Sequence, residues 1–142
     1  MKHQRINHLA VWLCVIMFQA LSILWYSPVL FADKWMGYLG KTFNDFKGES
    51  FTGLVFSVAG AIAFSYFLAW LFIRLRIDNA VKGLFIAIAV ALCCFVFTTF
   101  TQDSFSLRSP GLSLINTGII LCNYCMAGVL LGSWKKYRVA QN

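Results

Sequence analysis

Long apolar runs alternate with short polar intervals along the chain. The runs at 8–26, 51–73, 80–101 and 111–134 hold no charge at depth. Each is close to the roughly 20 helical residues that cross a bilayer core. The pattern predicts an all-α protein: an integral membrane four-helix bundle in one domain. The first run also has the place of a cleaved leader. No small-x-small cleavage site follows it, however, and its apolar character continues into an aromatic stretch, so it reads as a retained span.

That stretch, from Trp25 to Gly40, organises the rest. Trp and Tyr pair an apolar body with a polar tip and settle at headgroup level. Ser27-Pro28 reads as a helix start, because Ser caps free N–H groups and Pro at the first helical position loses no bond. Gly40 reads as the stop, since glycine accepts the left-handed conformation that ends a helix. Between them Phe31, Trp35 and Leu39 share one stripe, with Asp33, Lys34, Gly37 and Lys41 away from it. This predicts a short amphipathic helix at about 28–39 lying in the interface after the first span. The plainer reading is a connecting loop with aromatic anchors.

Composition agrees with membrane residence. Of 142 residues, 60% are hydrophobic and 12% charged, against about 25% charged in a soluble domain. The net charge of +7 would suggest nucleic acid in a soluble protein. Here the basic residues flank the spans, so membrane lipids are the expected partners and nucleic acid is not. Four spans put both termini on one side. That side carries Lys2, Arg5, Arg74, Arg76, Lys82, Lys135, Lys136 and Arg138 against Asp78. The other side carries Lys34, Lys41, Lys47 and Arg108, balanced by Asp33, Asp45, Glu49 and Asp103. This bias predicts cytoplasmic termini and an aromatic stretch on the outer surface. A second Ser-Pro, Ser109-Pro110, precedes the fourth span; beyond that dipeptide there is little internal similarity.

Chemistry is sparse. Cys14, Cys93, Cys94, Cys122 and Cys125 all lie in apolar runs and read as free thiols acting as small apolar residues. Cys122 and Cys125 have the spacing of a redox or metal pair, but His3 and His8 are far off in sequence, and no metal or cofactor is expected. Gly83, Ala87 and Ala91, and Gly128 and Gly132, recur four apart, as in helices that approach closely in lipid. They fit packing within the bundle; the alternative is a homo-oligomer seam. Asn116 and Asn123 share a face of the fourth span and Gln19 sits within the first, either as glue between helices or as the polar lining of an outward pocket. Asp103 and Arg108, with Asp33, gather on the outer side beside Trp25, Tyr26 and Trp35. Arg108 either clamps a carboxylate or binds an anionic group. The candidate ligand-binding set is therefore Trp25, Tyr26, Asp33, Trp35, Asp103, Arg108 and Asn116. The lack of charge deep in any span argues against an ion-coupled transporter. There is no phosphate loop, nucleophile elbow or metalloprotease helix.

Trp25-Tyr26-Ser27-Pro28, then Leu30-Phe31 and Trp35, with Asn116 and Gly118 in the fourth span, resembles a family of small bacterial membrane proteins catalogued as domain of unknown function 1761. Relatives often read Leu-Phe-Gly before the tryptophan; this chain reads Leu30-Phe31-Ala32. The resemblance implies a bacterial inner membrane and four helices, and no activity. The first expectation for function is a non-enzymatic module binding a lipid, small amphiphile or partner helix at the outer end of the bundle. The alternatives are a subunit of a small oligomeric transporter or channel, and a membrane enzyme acting on a lipid or quinone.

Overall fold

The computed structural model describes residues 2–46 and 50–139. Lys47 and Glu49, counted above on the outer side, lie outside the described residues. A terminal strand β1 (Lys2–Arg5) leads into α1 (His8–Trp25), the short helix α2 (Ala32–Leu39), a 3-10 turn (Phe43–Phe46) and α3 (Ser50–Arg74). Then come α4 (Ala80–Ala91), a π-helical turn (Leu92–Val96), α5 (Phe97–Phe105), α6 (Pro110–Ser133) and β2 (Lys136–Val139). The helix α4, the π turn and α5 form one continuous span, so four helices are long and apolar enough to cross a membrane.

The bundle is built around α6. Its closest partner is α4, and glycine makes the closeness possible. A Cβ on Gly83 would strike the carbonyl of Gly128, and one on Gly128 would lie 2.7 Å from the Cβ of Ala87. A Cβ on Gly132 would lie 2.9 Å from the Asn79 carbonyl. The small-residue stripes read from the sequence therefore meet within the chain. Lipid is as apolar as leucine, so close backbone contact of this kind is what holds helices together in a membrane. On the other flank α1 packs on α3 and α6, burying Ala10, Val11, Cys14 and Phe18. α3 makes little contact with the third span. Phe72 reaches Gly83, but residues 51–57 are exposed.

The first and last described residues lie at one end of the bundle, here the terminal end. β1 and β2 pair antiparallel, with Arg5 opposite Lys136. The Asn7 side chain donates to the Trp134 carbonyl at 3.3 Å, and His8 Nδ1 bonds the Tyr66 hydroxyl at 3.0 Å. At the same end Asn79 caps α4 by accepting from the Lys82 amide. The Lys82 ammonium, 2.8 Å from Asp78, holds that exposed carboxyl below the usual carboxylate range.

The opposite end carries the turns α1–α2 and α5–α6, and here the two Ser-Pro pairs diverge. Ser109 caps α6, its hydroxyl accepting from the Gly111 amide with Pro110 in the first turn. Ser27 instead donates back to the Leu24 carbonyl at 2.7 Å, closing α1. α2 consequently starts at Ala32, four residues after the predicted Pro28, with no side-chain cap. It ends at Gly40 in the left-handed conformation, φ 63°. Its buried residues are Ala32 and Met36, one position along from the predicted stripe. The third span runs on past 101 to Phe105, placing Asp103 on a helix rather than in a loop.

Replacing Gly128 with Leu should wedge α4 from α6 and cost about 1–3 kcal/mol, the usual penalty for overpacking. Gly60→Ala, where an added Cβ meets nothing within 4 Å, should stay within about 0.5 kcal/mol. Thermal unfolding in detergent followed by circular dichroism compares the two. Equal melting would mean that the glycine seam does not hold the bundle.

Candidate functional site

Two features lie side by side: an aromatic ledge at the turn end, and a cleft below it that opens between helices.

The ledge is closed by hydrogen bonds to α6. The Trp25 indole donates to the Ile115 carbonyl at 3.1 Å. The Tyr26 hydroxyl and the Trp35 indole both donate to Asn116 Oδ1, at 3.0 and 3.2 Å. The rings pack in pairs, Trp25 with Phe31 (centroids 4.6 Å apart) and Tyr26 with Trp35 (5.1 Å). Gly118 supplies the seat: a Cβ there would come within 2.8 Å of the Trp25 ring. Gly111 does the same for Tyr38, whose ring a Cβ would strike. Two of the oxygen's lone-pair directions are thus occupied by donors from α1 and α2, and one asparagine ties both elements to α6.

A second clamp lies alongside. Asp103 is 5% exposed, yet both its oxygens are engaged. Oδ2 accepts from the Ser113 hydroxyl at 2.7 Å, and Oδ1 lies 3.5 Å from Arg108 Nη1. A carboxylate is costly to bury unless it is paired and hydrogen-bonded, and these partners come from the turn and from α6. Of the two carboxylates the sequence offered to Arg108, the structure pairs it with Asp103. Asp33 stands exposed in the first turn of α2, where the helix dipole favours an anion. So of the seven residues singled out from the sequence, four share the Trp–Tyr–Asn node, two form the clamp, and Asp33 joins neither.

The cleft is bounded by α1, α3, the third span and α6, with a volume of about 550 Å³. Its floor is a four-ring cluster with one ring from each span. Phe64 stacks on Tyr124 with centroids 3.7 Å apart, Phe18 lies 5.9 Å from Phe64, and Phe95 meets Tyr124 edge-on at 5.3 Å. Polar atoms enter from Gln19, Ser22, Ser57 and Asn123. Gln19 Oε1 accepts from the Ser57 hydroxyl at 3.1 Å. Asn123 Oδ1 is buried and has no hydrogen-bond partner. Opposite, the π turn brings Cys94 and Phe95 to the wall. A π turn leaves helix carbonyls short of donors, and the Thr98 hydroxyl covers one of them by donating to the Cys94 carbonyl at 3.0 Å. The sequence offers Asn123 and Gln19 either as glue between helices or as a polar lining; Gln19 bridges α1 to α3 through Ser57, both line the cleft, and the ring cluster and the π turn have no sign in the sequence. Both depend on how four uniformly apolar helices are rotated. Among the described residues, no group of three His, Cys, Asp or Glu is placed to hold a metal.

Four membrane-length apolar helices around a lateral cleft define a small multi-pass membrane protein. Residues 9–132 match the family model described as "Protein of unknown function (DUF1761)", and the chain belongs to that family. No curated protein and no solved structure matches it.

Asn116→Leu should strand two donors and lower stability by about 1–3 kcal/mol, whereas Tyr26→Phe, losing one bond, should cost about 1 kcal/mol. Denaturation in mixed detergent micelles measures both. A Tyr26→Phe loss equal to that of Asn116→Leu would mean that the Trp35 bond contributes nothing.

Proposed function

We propose that the protein is a non-enzymatic membrane module that binds an amphiphile from the bilayer, with the lateral cleft as its site and the ledge as a fixed roof. The carrying observation is the cleft itself: about 550 Å³, beside the sparse contact between α3 and the third span. Ligand sites of this size, mostly apolar with a few converging polar groups, are the commonest kind. The ledge supports the reading in another way. Its indole, phenol and amide groups are already paired, so it is suited to hold α1 and α6 in register beside the cleft. Val29, Phe105 and Leu107, all highly exposed at this end, would sink into the headgroup boundary.

The Lys/Arg distribution supports termini in the cytoplasm and a cleft in the outer half of a bacterial inner membrane. A reporter fused at the carboxyl end should be active only in the cytoplasm; activity outside would invert this orientation.

The binding reading is tested by extracting the purified chain and identifying retained lipids by mass spectrometry. Gly60 lines the cleft and has open space at its Cβ, so Gly60→Trp should fill the cleft and abolish retention, while Lys82→Ala at the terminal end should not. Equal retention by both variants would remove the cleft as the site. A second reading, a subunit of a small oligomer, is favoured by the bare first turns of α3, where residues 51–57 are exposed. A purely monomeric mass by native mass spectrometry of the intact protein would exclude it.

A further inference from the structure

The face of α3 that borders the cleft does not end there. Gly60, Ala63 and Phe67 line the cleft. Steps of three and four residues carry the same helical face on to Trp70 and Arg74. All five are exposed, and α3 has little contact with the third span to cover them. Arg74 closes the stripe at the terminal end of the helix. Its guanidinium carbon lies 5.6 Å from the centroid of the Trp70 ring, and the Trp70 and Phe67 ring centroids are 6.1 Å apart. A guanidinium laid on an indole uses its flat face and leaves its N–H edge to bond two oxygens of a phosphate. Among the described residues no carboxylate pairs with Arg74. Asp78, in the turn that follows, is held by Lys82 at 2.8 Å, and Asp103 faces Arg108 at the other end of the bundle. Trp beside a basic residue at the end of a span marks headgroup level.

We propose that the amphiphile is an anionic phospholipid of the leaflet at the terminal end, with its phosphate on Arg74 and one acyl chain laid over Trp70 and Phe67 into the cleft. The inference rests on the cleft-binding reading and names the head that goes with it. The lengths agree. Along a helix rising about 1.5 Å per residue, Phe67 lies about 10 Å from Arg74 and Ala63 about 16 Å. The chains of one leaflet span half of a core about 30 Å thick, or about 15 Å. A lipid held by its head at Arg74 therefore brings its chain end to the near wall of the cleft. No Asp, Glu, Lys or Arg lines the cleft, so the cleft takes the chain and the charged group stays outside it. A free phosphate would leave the ring surface beside Arg74 unused, whereas a lipid covers both. A zwitterionic head would bring a second cation up to the guanidinium, and an anionic head does not.

The test uses the full chain, stripped of lipid in detergent and titrated by native mass spectrometry with two probes. Dioleoylphosphatidylglycerol and dioleoylphosphatidylcholine have the same chains and differ in head charge. The natural chain should bind the first about tenfold more tightly, the equivalent of about 1.4 kcal/mol. Arg74→Gln should bring the two lipids within about twofold of each other, with an unaltered circular dichroism spectrum as the folding check. Arg74→Lys, which keeps the charge and loses the planar fork, should leave a preference of about threefold. Arg76→Gln removes the same charge from the turn beyond α3 and should leave the preference whole. Gly60→Trp should remove the binding of both lipids. Equal binding of the two lipids, blocked by Gly60→Trp, would overturn the headgroup inference and leave the cleft standing. Equal losses in Arg74→Gln and Arg76→Gln would overturn Arg74 as the site and leave only diffuse charge. Binding of both lipids unaffected by Gly60→Trp would overturn the cleft reading, and with it the path of the chain.

Discussion

The backbone contact between α4 and α6 decides the shape of everything else. Without a hydrophobic driving force between helices in lipid, two helices associate where their backbones come close enough for dense van der Waals contact. Gly83, Gly128 and Gly132 permit that approach, and even a methyl group at any of them would collide with the facing chain. The third span is thereby drawn onto α6. The helix α3 is held from the other side by α1 and has little contact with the third span. An evenly spaced bundle would have no room at its centre. This one pairs its helices unequally, and the space left over is the cleft.

The helix α6 carries both the seal and the opening. Its first half meets the ledge through Ile115, Asn116 and Gly118, and Asp103 through Ser113. Its second half meets α4 through glycine. Between these lies Asn123, two turns below Asn116 on the same face. The two asparagines are chemically identical and differ only in surroundings. Asn116 sits where two tip-polar aromatic residues arrive from a turn, and its oxygen is doubly satisfied. Asn123 sits across the cleft from a π turn, and the Thr98 hydroxyl that follows that turn is directed to the Cys94 carbonyl. Burial makes an unmet acceptor expensive in the second place and a doubly met one rigid in the first.

The sequence made some of this legible and hid the rest for a physical reason. Span number and length follow from hydrophobicity alone, because a bilayer has a fixed thickness. The ledge was readable because Trp, Tyr and Asn are conspicuous against an apolar background, and the resemblance joined Asn116 and Gly118 to Trp25, Tyr26 and Trp35. The structure supplies the contacts between them. Other features left no trace. In a soluble helix the apolar stripe reveals which face is buried; a membrane helix is apolar on lipid-facing and protein-facing sides alike. Nothing in the spacing of Phe18, Phe64, Phe95 and Tyr124 therefore announces that they converge. The displaced start of α2 has a local cause, since the same Ser-Pro that caps α6 is spent at residue 27 on closing α1. The third span outruns its apolar run as far as Phe105 because Ser113 and Arg108 satisfy Asp103 on the helix, and of these two partners only Arg108 is visible in the sequence.

The balance of charge separates the ledge from the cleft and limits what each can do. At the turn end Asp103 and Arg108 are satisfied by each other and by Ser113. They stabilise the roof. The cleft below is lined by amide, hydroxyl and thiol groups, none of which carries a permanent charge. The proposed binding of an amphiphile rests on that lining.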